Sequence, residues 1–287
     1  MLERTGQVQL GQGTLDYVDT GSGRPVVFVH GLLVNADLWR AVVPAVAEAG
    51  FRCLAPDWPL GAHRRPLAPD ADLTPSGVAK LIAEFLAALD LRDVLVVAND
   101  TGGALTQILM ANHPERIAGV VLTPSDSFEH FFPPIFAPLP RLAKVPGTMG
   151  VLAAALRSKF VRSLPIGFGW VAKRPVPMDA VHSYIDPAWR SAGVRRDLRK
   201  FLRGVDKRYT LEAAEKLREF RRPVLLAWAS EDKLFPLSLA NRLLEVLPDA
   251  RLTEIGDSYT FVPEDRPDKL NELIIGFARE RVSALAD

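Results

Sequence analysis

Val94-Leu95-Val96-Val97-Ala98-Asn99-Asp100-Thr101-Gly102-Gly103-Ala104 is the stretch that decides the fold. Five apolar residues make a strand, and apolar spacing at Ala104, Leu105, Ile108 and Leu109 continues as a helix. Asp100 stands at the apex of the tight turn between them. In the G-x-S-x-G elbow a serine occupies such a turn, its oxygen held above the sheet edge while a following backbone N–H faces the reacting oxygen. Here Ala98, Gly102 and Gly103 fill the small flanking positions, and the nucleophile's position holds Asp100. A carboxylate there attacks carbon to give an ester, or moves a proton as acid or base. Asp is also a favoured helix N-cap, a purely local role for the same residue.

Outward from this turn, strands alternate with helices. Strands are expected at Gln7 to Leu10, Thr14 to Asp19, Val26 to Val29, Cys53 to Ala55, Ile117 to Leu122, Val224 to Ala229 and Leu252 to Ile255. Helices are expected around Leu38 to Ala49, after Thr74-Pro75, at Leu237 to Leu247 and at Asp268 to Arg281. Thr as cap with Pro at the first helical position is a start signal, and Val78, Ile82, Phe85, Leu86 and Leu89 form the stripe that follows. With the elbow strand included, the order implies an α/β protein with a mostly parallel eight-stranded sheet and helices on both faces.

The alternation stops between about Ser127 and Phe220. That segment opens with Phe131-Phe132-Pro133-Pro134 and Pro138-Leu139-Pro140, then carries helical stretches at Met149 to Phe160 and Val194 to Val205. Prolines at this density exclude one long element, and the apolar helices exclude disorder. The segment reads as an inserted helical cap, giving a core of 1–126 and 221–287 and a cap of 127–220.

Composition sets outer bounds. At 287 residues, 48% hydrophobic and 24% charged, the chain can bury one sizeable core. A formal net charge of +1 gives no global attraction to nucleic acid or an anionic membrane. The single cysteine, Cys53, excludes an internal disulfide and a cysteine-rich metal site, and its strand-like setting makes it a small core residue. The first residues lack the apolar stretch of a secretion signal and no apolar run is long enough to span a bilayer, so a cytoplasmic location is expected. No cofactor or metal is expected; a small-molecule substrate is, and a homodimer stays open.

Five landmarks in fixed order give the chain its likeness: His30-Gly31 after the third strand, the elbow at Asp100, the insertion, Ala229-Ser230-Glu231-Asp232, and Pro263-Glu264-Asp265-Arg266-Pro267. The sequence resembles the α/β-hydrolases, in the branch of haloalkane dehalogenases and epoxide hydrolases that carries an aspartate nucleophile. The resemblance spans nearly the whole chain. It implies the α/β-hydrolase fold, a catalytic pair of Asp100 and Asp232 with Glu231 as the rival acid, and an oxyanion hole from the backbone N–H groups of Leu32 and Thr101. It also makes His30 a residue that braces its loop.

The same resemblance exposes departures. Where the family has Gly-His before its Glu-Asp-Pro segment, this chain has Tyr259-Thr260, and its five histidines, His30, His63, His113, His130 and His182, lie elsewhere. By position His130 is the best spare, or a cap-hinge residue. Without a general base, an ester on Asp100 is slow to hydrolyse. Thr101 and Leu32 stand where dehalogenases place halide-binding side chains, and Leu33 replaces the proline of His-Gly-x-Pro, so dehalogenation is disfavoured. Epoxide hydrolases protonate the leaving oxygen with cap tyrosines, for which Tyr184 and Tyr209 are the candidates; an aromatic on a cap helix also serves as core.

Asp126, Phe131, Tyr184, Tyr259 and Thr260 are the candidate substrate contacts. Asp126, Glu129 and Asp232 crowd the expected mouth, an arrangement able to raise a carboxyl pKa. His63-Arg64-Arg65 offers either an anion contact or a solvated face. The phenylalanines at 128, 131, 132 and 136 suit an apolar substrate. The expected function is a cofactor-independent, epoxide-hydrolase-like enzyme that forms an ester on Asp100. The alternatives are a non-hydrolytic acid–base enzyme (lyase, isomerase or cyclase) using Asp100, or a catalytically inactive binding relative.

Overall fold

Near-continuous apolar runs at Val94–Asp100 and Ile117–Ser125 demand cover on both faces, and the computed structural model, which describes residues 1–282, supplies it. The strands are β1 (Gly6–Leu10), β2 (Gly13–Thr20), β3 (Arg24–Val29), β4 (Phe51–Pro56), β5 (Val94–Asp100), β6 (Ile117–Ser125), β7 (Val224–Ala229) and β8 (Ala250–Ile255). They form one eight-stranded sheet in the order β1-β2-β4-β3-β5-β6-β7-β8, in which only β2 runs against the rest. All eight expected strands are present. β5, which carries the elbow, lies at the centre, between β3 and β6.

The helices are α1 (Val43–Glu48), α2 (Pro75–Ala88), α3 (Thr101–Asn112), α4 (Leu139–Leu142), α5 (Thr148–Ala155), α6 (Lys159–Ser163), α7 (Met178–Arg190), α8 (Ala192–Gly204), α9 (Arg208–Leu217), α10 (Leu237–Val246), α11 (Val262–Asp265) and α12 (Pro267–Phe277). α2 starts as its sequence predicts: the Thr74 hydroxyl accepts from the Gly77 N–H at 3.1 Å, and Val78, Ile82, Phe85 and Leu86 are buried. The helix expected over Leu38 to Ala49 is instead a 3₁₀ turn at Ala36–Trp39 followed by α1. Pro44 explains the break, since it lacks an N–H and fits only the first turn of a helix. Met149 to Phe160 likewise divides into α5 and α6.

The insertion between β6 and β7 is helical, but its last helix does not cover the site. Ala213, Ala214 and Leu217 of α9 are buried and α9 packs on α3, in the layer flanking the sheet. Cys53 is buried in β4, and burial pushes its thiol up to about 12, leaving it unreactive. No helix among the described residues is long and apolar enough to cross a membrane.

Candidate active site

The turn between β5 and α3 holds Asp100 at φ 56° and ψ −133°, a region that non-glycine residues avoid. Its neighbours are small because there is no room. A Cβ on Gly31 would lie 2.1 Å from Asp100 Oδ2, and one on Gly102 would lie 2.4 Å from the Val29 carbonyl oxygen. Asp100 makes no side-chain cap for α3, so the local N-cap role is not the one it plays. Its Oδ2 accepts instead from the Leu32 N–H at 3.2 Å, and the Thr101 N–H also stabilises the charged carboxylate. The two backbone donors expected of an oxyanion hole thus converge on the Asp100 carboxyl.

Burial drives the Asp100 pKa up to about 7; the Leu32 and Thr101 N–H groups oppose that rise and the charge of Asp232 adds to it. The carboxyl keeps some accessible surface because it lines a cavity of about 340 Å³. Leu33, Phe132, Phe136, Leu139, Phe168 and Phe261 are among the lining residues, and Asp100 and Thr101 bring the only polar side chains. Phe132 to Ile185 come from the insertion, so it does form the upper wall of the cavity. Leu33 sits at φ 57°, which proline cannot adopt, so the loop after His30-Gly31 takes a different path from a His-Gly-x-Pro turn.

Asp232 follows β7 and is half-buried, its Oδ2 shielded from solvent. Its Oδ1 accepts from the N–H groups of Leu234 and Phe235, both at 2.7 Å. Burial raises its pKa to about 6 against those two bonds. The Thr260 hydroxyl is close enough to favour the charged form of Asp232, yet neither Asp232 Oδ2 nor Thr260 Oγ1 has a hydrogen bond of normal geometry. The Thr260 carbonyl accepts from Asn99 Nδ2 at 2.7 Å, which fixes the loop after β8 beside the elbow. The rival acid, Glu231, turns outward and pairs with Lys173 at 2.7 Å.

The other candidates are not gathered at the cavity. Asp126 lies beneath Thr101, whose hydroxyl donates to Asp126 Oδ2 at 3.1 Å, and it does not line the cavity. Burial and the Asp100 charge raise its pKa well above the usual range. Phe131 packs edge-on against Phe132, 5.5 Å between centroids, and only Phe132 reaches the cavity. Tyr184 is buried outside the cavity, its hydroxyl donating to Glu264 Oε1 at 3.0 Å. Tyr209 lies under Arg208 on α9. Tyr259 stacks beneath Lys233 and away from the cavity. Glu129 pairs with Arg242 at 2.6 Å on the outside, so it does not crowd the mouth.

None of the five histidines lines the cavity. His30 accepts from the Trp58 N–H at Nε2, 2.8 Å, so its Nδ1–H donates to the Gly31 carbonyl at 2.9 Å. It braces the loop as a neutral ring, and burial lowers its pKa to about 3. His130 sits in a bridge with Ser127. The cluster His63-Arg64-Arg65 is not an anion site, because its members pair with Asp197 at 3.2 Å, Asp57 at 3.5 Å and Asp16 at 3.0 Å. No group of three or more His, Cys, Asp or Glu side chains able to hold a metal occurs among the described residues.

Sequence reasoning missed Phe168, Val171, Ile185 and Phe261. The Phe261 N–H donates to the Val171 carbonyl at 2.6 Å, joining the loop after β8 to the insertion across 90 residues of chain. The only local signal was position: Phe261 directly follows the pair that replaces Gly-His.

Comparison with known proteins agrees with this fold. Residues 24–267 match the family model described as the alpha/beta hydrolase fold. The chain is 28% identical over 273 residues to haloalkane dehalogenase 2 of Mycobacterium bovis, covering 92% of this chain and 91% of that one. It is 29% identical over 273 residues to the non-heme chloroperoxidase CPO-A1 of Kitasatospora aureofaciens, covering 91% and 94%. Among solved structures, an alpha/beta hydrolase fold protein from Burkholderia ambifaria superposes with a TM-score of 0.81 at 21% identity, covering 96% and 98%. Haloalkane dehalogenase DbeA from Bradyrhizobium elkani gives 0.79 at 20% identity, covering 98% of each. With the eight-stranded sheet, the elbow and a family match over most of its length, the chain belongs to the α/β-hydrolase fold family.

Proposed function

We propose that Asp100 attacks an electrophilic carbon of a compact apolar molecule, forming an ester that water then hydrolyses, as in an epoxide hydrolase. The observation that carries this reading is the Asp100 carboxyl itself, lying against an apolar cavity with Oδ2 held by the Leu32 N–H. The Leu32 N–H holds one oxygen, and the carboxyl faces the cavity, where it can attack. Taking the carboxylate out of water makes it a stronger nucleophile, and the attack needs no cofactor because the carboxylate supplies the electron pair. Leu32 offers no side-chain donor and the Thr101 hydroxyl is committed to Asp126, so nothing is left for a departing halide. Attack on a strained epoxide breaks its C–O bond and leaves that oxygen on the product as an alkoxide, which takes its proton from water, so no halide pocket is needed. The sequence similarity to dehalogenases is therefore read as shared nucleophile chemistry, with a small-molecule substrate of another kind.

Acid–base chemistry is the second reading, favoured by an Asp100 pKa of about 7, where a proton is both gained and lost near neutrality. Intact-protein mass after incubation with styrene oxide, followed by mapping of the elbow peptide, separates the two. The nucleophile reading expects a stoichiometric adduct on Asp100 or a diol carrying solvent oxygen. A product without solvent oxygen and an unlabelled elbow peptide would overturn it in favour of proton transfer.

A further inference from the structure

We infer that Asp232 is the general base that activates the hydrolytic water, acting directly where relatives use an imidazole; this rests on the ester reading above. Three geometric facts converge. Asp232 Oδ1 is fixed by the Leu234 and Phe235 N–H groups at 2.7 Å each, which leaves Oδ2 without a protein donor. Thr260 Oγ1 is a second buried polar atom without a formed hydrogen bond, and it lies near that carboxyl. The Thr260 carbonyl is tied to Asn99, the residue before Asp100, at 2.7 Å. Thr260 is thus tied through its carbonyl to the residue before Asp100 and lies with its hydroxyl near Asp232, where it can position a water that Asp232 deprotonates.

The step balances. The water oxygen bonds to Cγ of the Asp100 ester as Asp232 Oδ2 takes one water proton. The tetrahedral oxyanion rests on the Leu32 and Thr101 N–H groups. Collapse breaks the bond between Cγ and Asp100 Oδ1, the oxygen now bonded to the substrate carbon; that oxygen takes the proton back from Asp232 and leaves as the hydroxyl of the product alcohol. Asp100 remains as a carboxylic acid containing the water oxygen and loses its proton to solvent near pH 7.

The charges facing Asp232 fit a base. Asp100 is neutral while esterified, which removes the repulsion between the two. Asp265 raises the Asp232 pKa only as a minor cause, and its oxygens are occupied by the N–H groups of Lys173, Arg174 and Tyr259. With a pKa of about 6, Asp232 is mostly ionised at neutral pH yet still basic enough to accept a proton.

The test uses the full chain and styrene oxide in rapid-mix quench, reading the Asp100 adduct by intact mass. Asp232→Asn should form the adduct at least as fast as the wild type and release it about 10²–10⁴-fold more slowly, the usual contribution of a general base. Asn keeps the oxygen that the Leu234 and Phe235 N–H groups need. Thr260→Ala, with the Asp232 loop untouched, should slow release without slowing adduct formation, and serves if Asp232→Asn fails to fold. Wild-type release should fall as pH drops through about 6, and the Asn variant should lack that dependence. Release from Asp232→Asn at the wild-type rate, or wild-type release flat from pH 5 to 8, would overturn the role of Asp232 while an adduct keeps Asp100 as nucleophile. No adduct in any variant, with product lacking solvent oxygen, would remove both.

Discussion

Asn99 donates its side-chain amide to the Thr260 carbonyl oxygen at 2.7 Å, locking the residue before the elbow apex to the loop that follows β8. The same amide reaches the Thr123 hydroxyl at 2.7 Å, so one buried group holds three carboxyl-edge segments in register. Where other family members are expected to hold an imidazole, this chain holds a threonine whose backbone is pinned and whose hydroxyl faces an acid.

Asn99→Ala leaves the Thr260 carbonyl and the Thr123 hydroxyl without their buried donor. Such a loss costs about 1–3 kcal/mol. Denaturant melts should show that loss of stability, and turnover should fall because Thr260 no longer holds its place. Unchanged melting and unchanged turnover would mean that the loop is fixed by its other contacts, such as Phe261 N–H to the Val171 carbonyl at 2.6 Å.

Asp100→Asn should abolish turnover and make the protein more stable at neutral and alkaline pH. The folded-state pKa of Asp100 is raised from 3.8 to about 7, so the folded state binds that proton more tightly than the unfolded chain does. Stability from this group is complete below about pH 4 and is lost as pH rises through about 7. At pH 8 the ionised carboxylate costs on the order of 4 kcal/mol, at about 1.4 kcal/mol per unit of pKa difference. The advantage of the Asn variant should therefore grow from pH 4 to pH 8 in parallel melts. A gap that is constant with pH would place the Asp100 pKa near its ordinary value.

The elbow and the eight strands were legible because their signals are local: an apolar run, small residues at fixed offsets, and a Thr-Pro helix start. The lower half of the site was legible for the same reason, since Asp100, Thr101, Leu32 and Asp232 sit at set distances from strand ends. The upper half was not. Tyr184 finds Glu264 80 residues away, Phe261 finds Val171, and Arg4 bridges Asp37 at 2.6 Å and Asp57 at 2.8 Å. Contacts of that span follow from how the insertion docks on the sheet, which no local pattern encodes. The basic cluster allowed either an anion contact or a solvated face, and its pairing with Asp16 and Asp197, remote in sequence, is what no local pattern gives.

Tyr184→Phe should leave kcat and KM unchanged and lower stability by about 1 kcal/mol. The ring is fully buried among core residues, and its hydroxyl serves Glu264 at 3.0 Å and accepts from Arg40 at 3.4 Å. Burial first, then the Glu264 charge, raises its pKa well above the ordinary tyrosine value, which fits a retained proton. A large fall in kcat with KM intact would show instead that the hydroxyl reaches the leaving oxygen in the working enzyme.

Phe136→Ala should change which substrates react while leaving the core intact. Phe136 lies in the insertion, lines the cavity and is only half-buried, so its removal deletes wall area without opening the packed sheet. A cavity of about 340 Å³ suits a compact molecule, and the missing ring enlarges it at the insertion's wall. Small epoxides should lose contact and show a higher KM, while bulkier aryl epoxides excluded by the native wall should gain in kcat/KM. Asp100 and the Leu32 and Thr101 N–H groups are untouched by the substitution, so kcat for a small substrate should stay within about threefold, since lost contacts that are equal in ground and transition states alter KM alone. Parallel kcat/KM series over epoxides of increasing size, with melting curves for both proteins, measure this. A uniform fall in kcat across the series would mean that the insertion orients Asp100 itself, and the cavity wall would then be part of the catalytic apparatus and not only its selector.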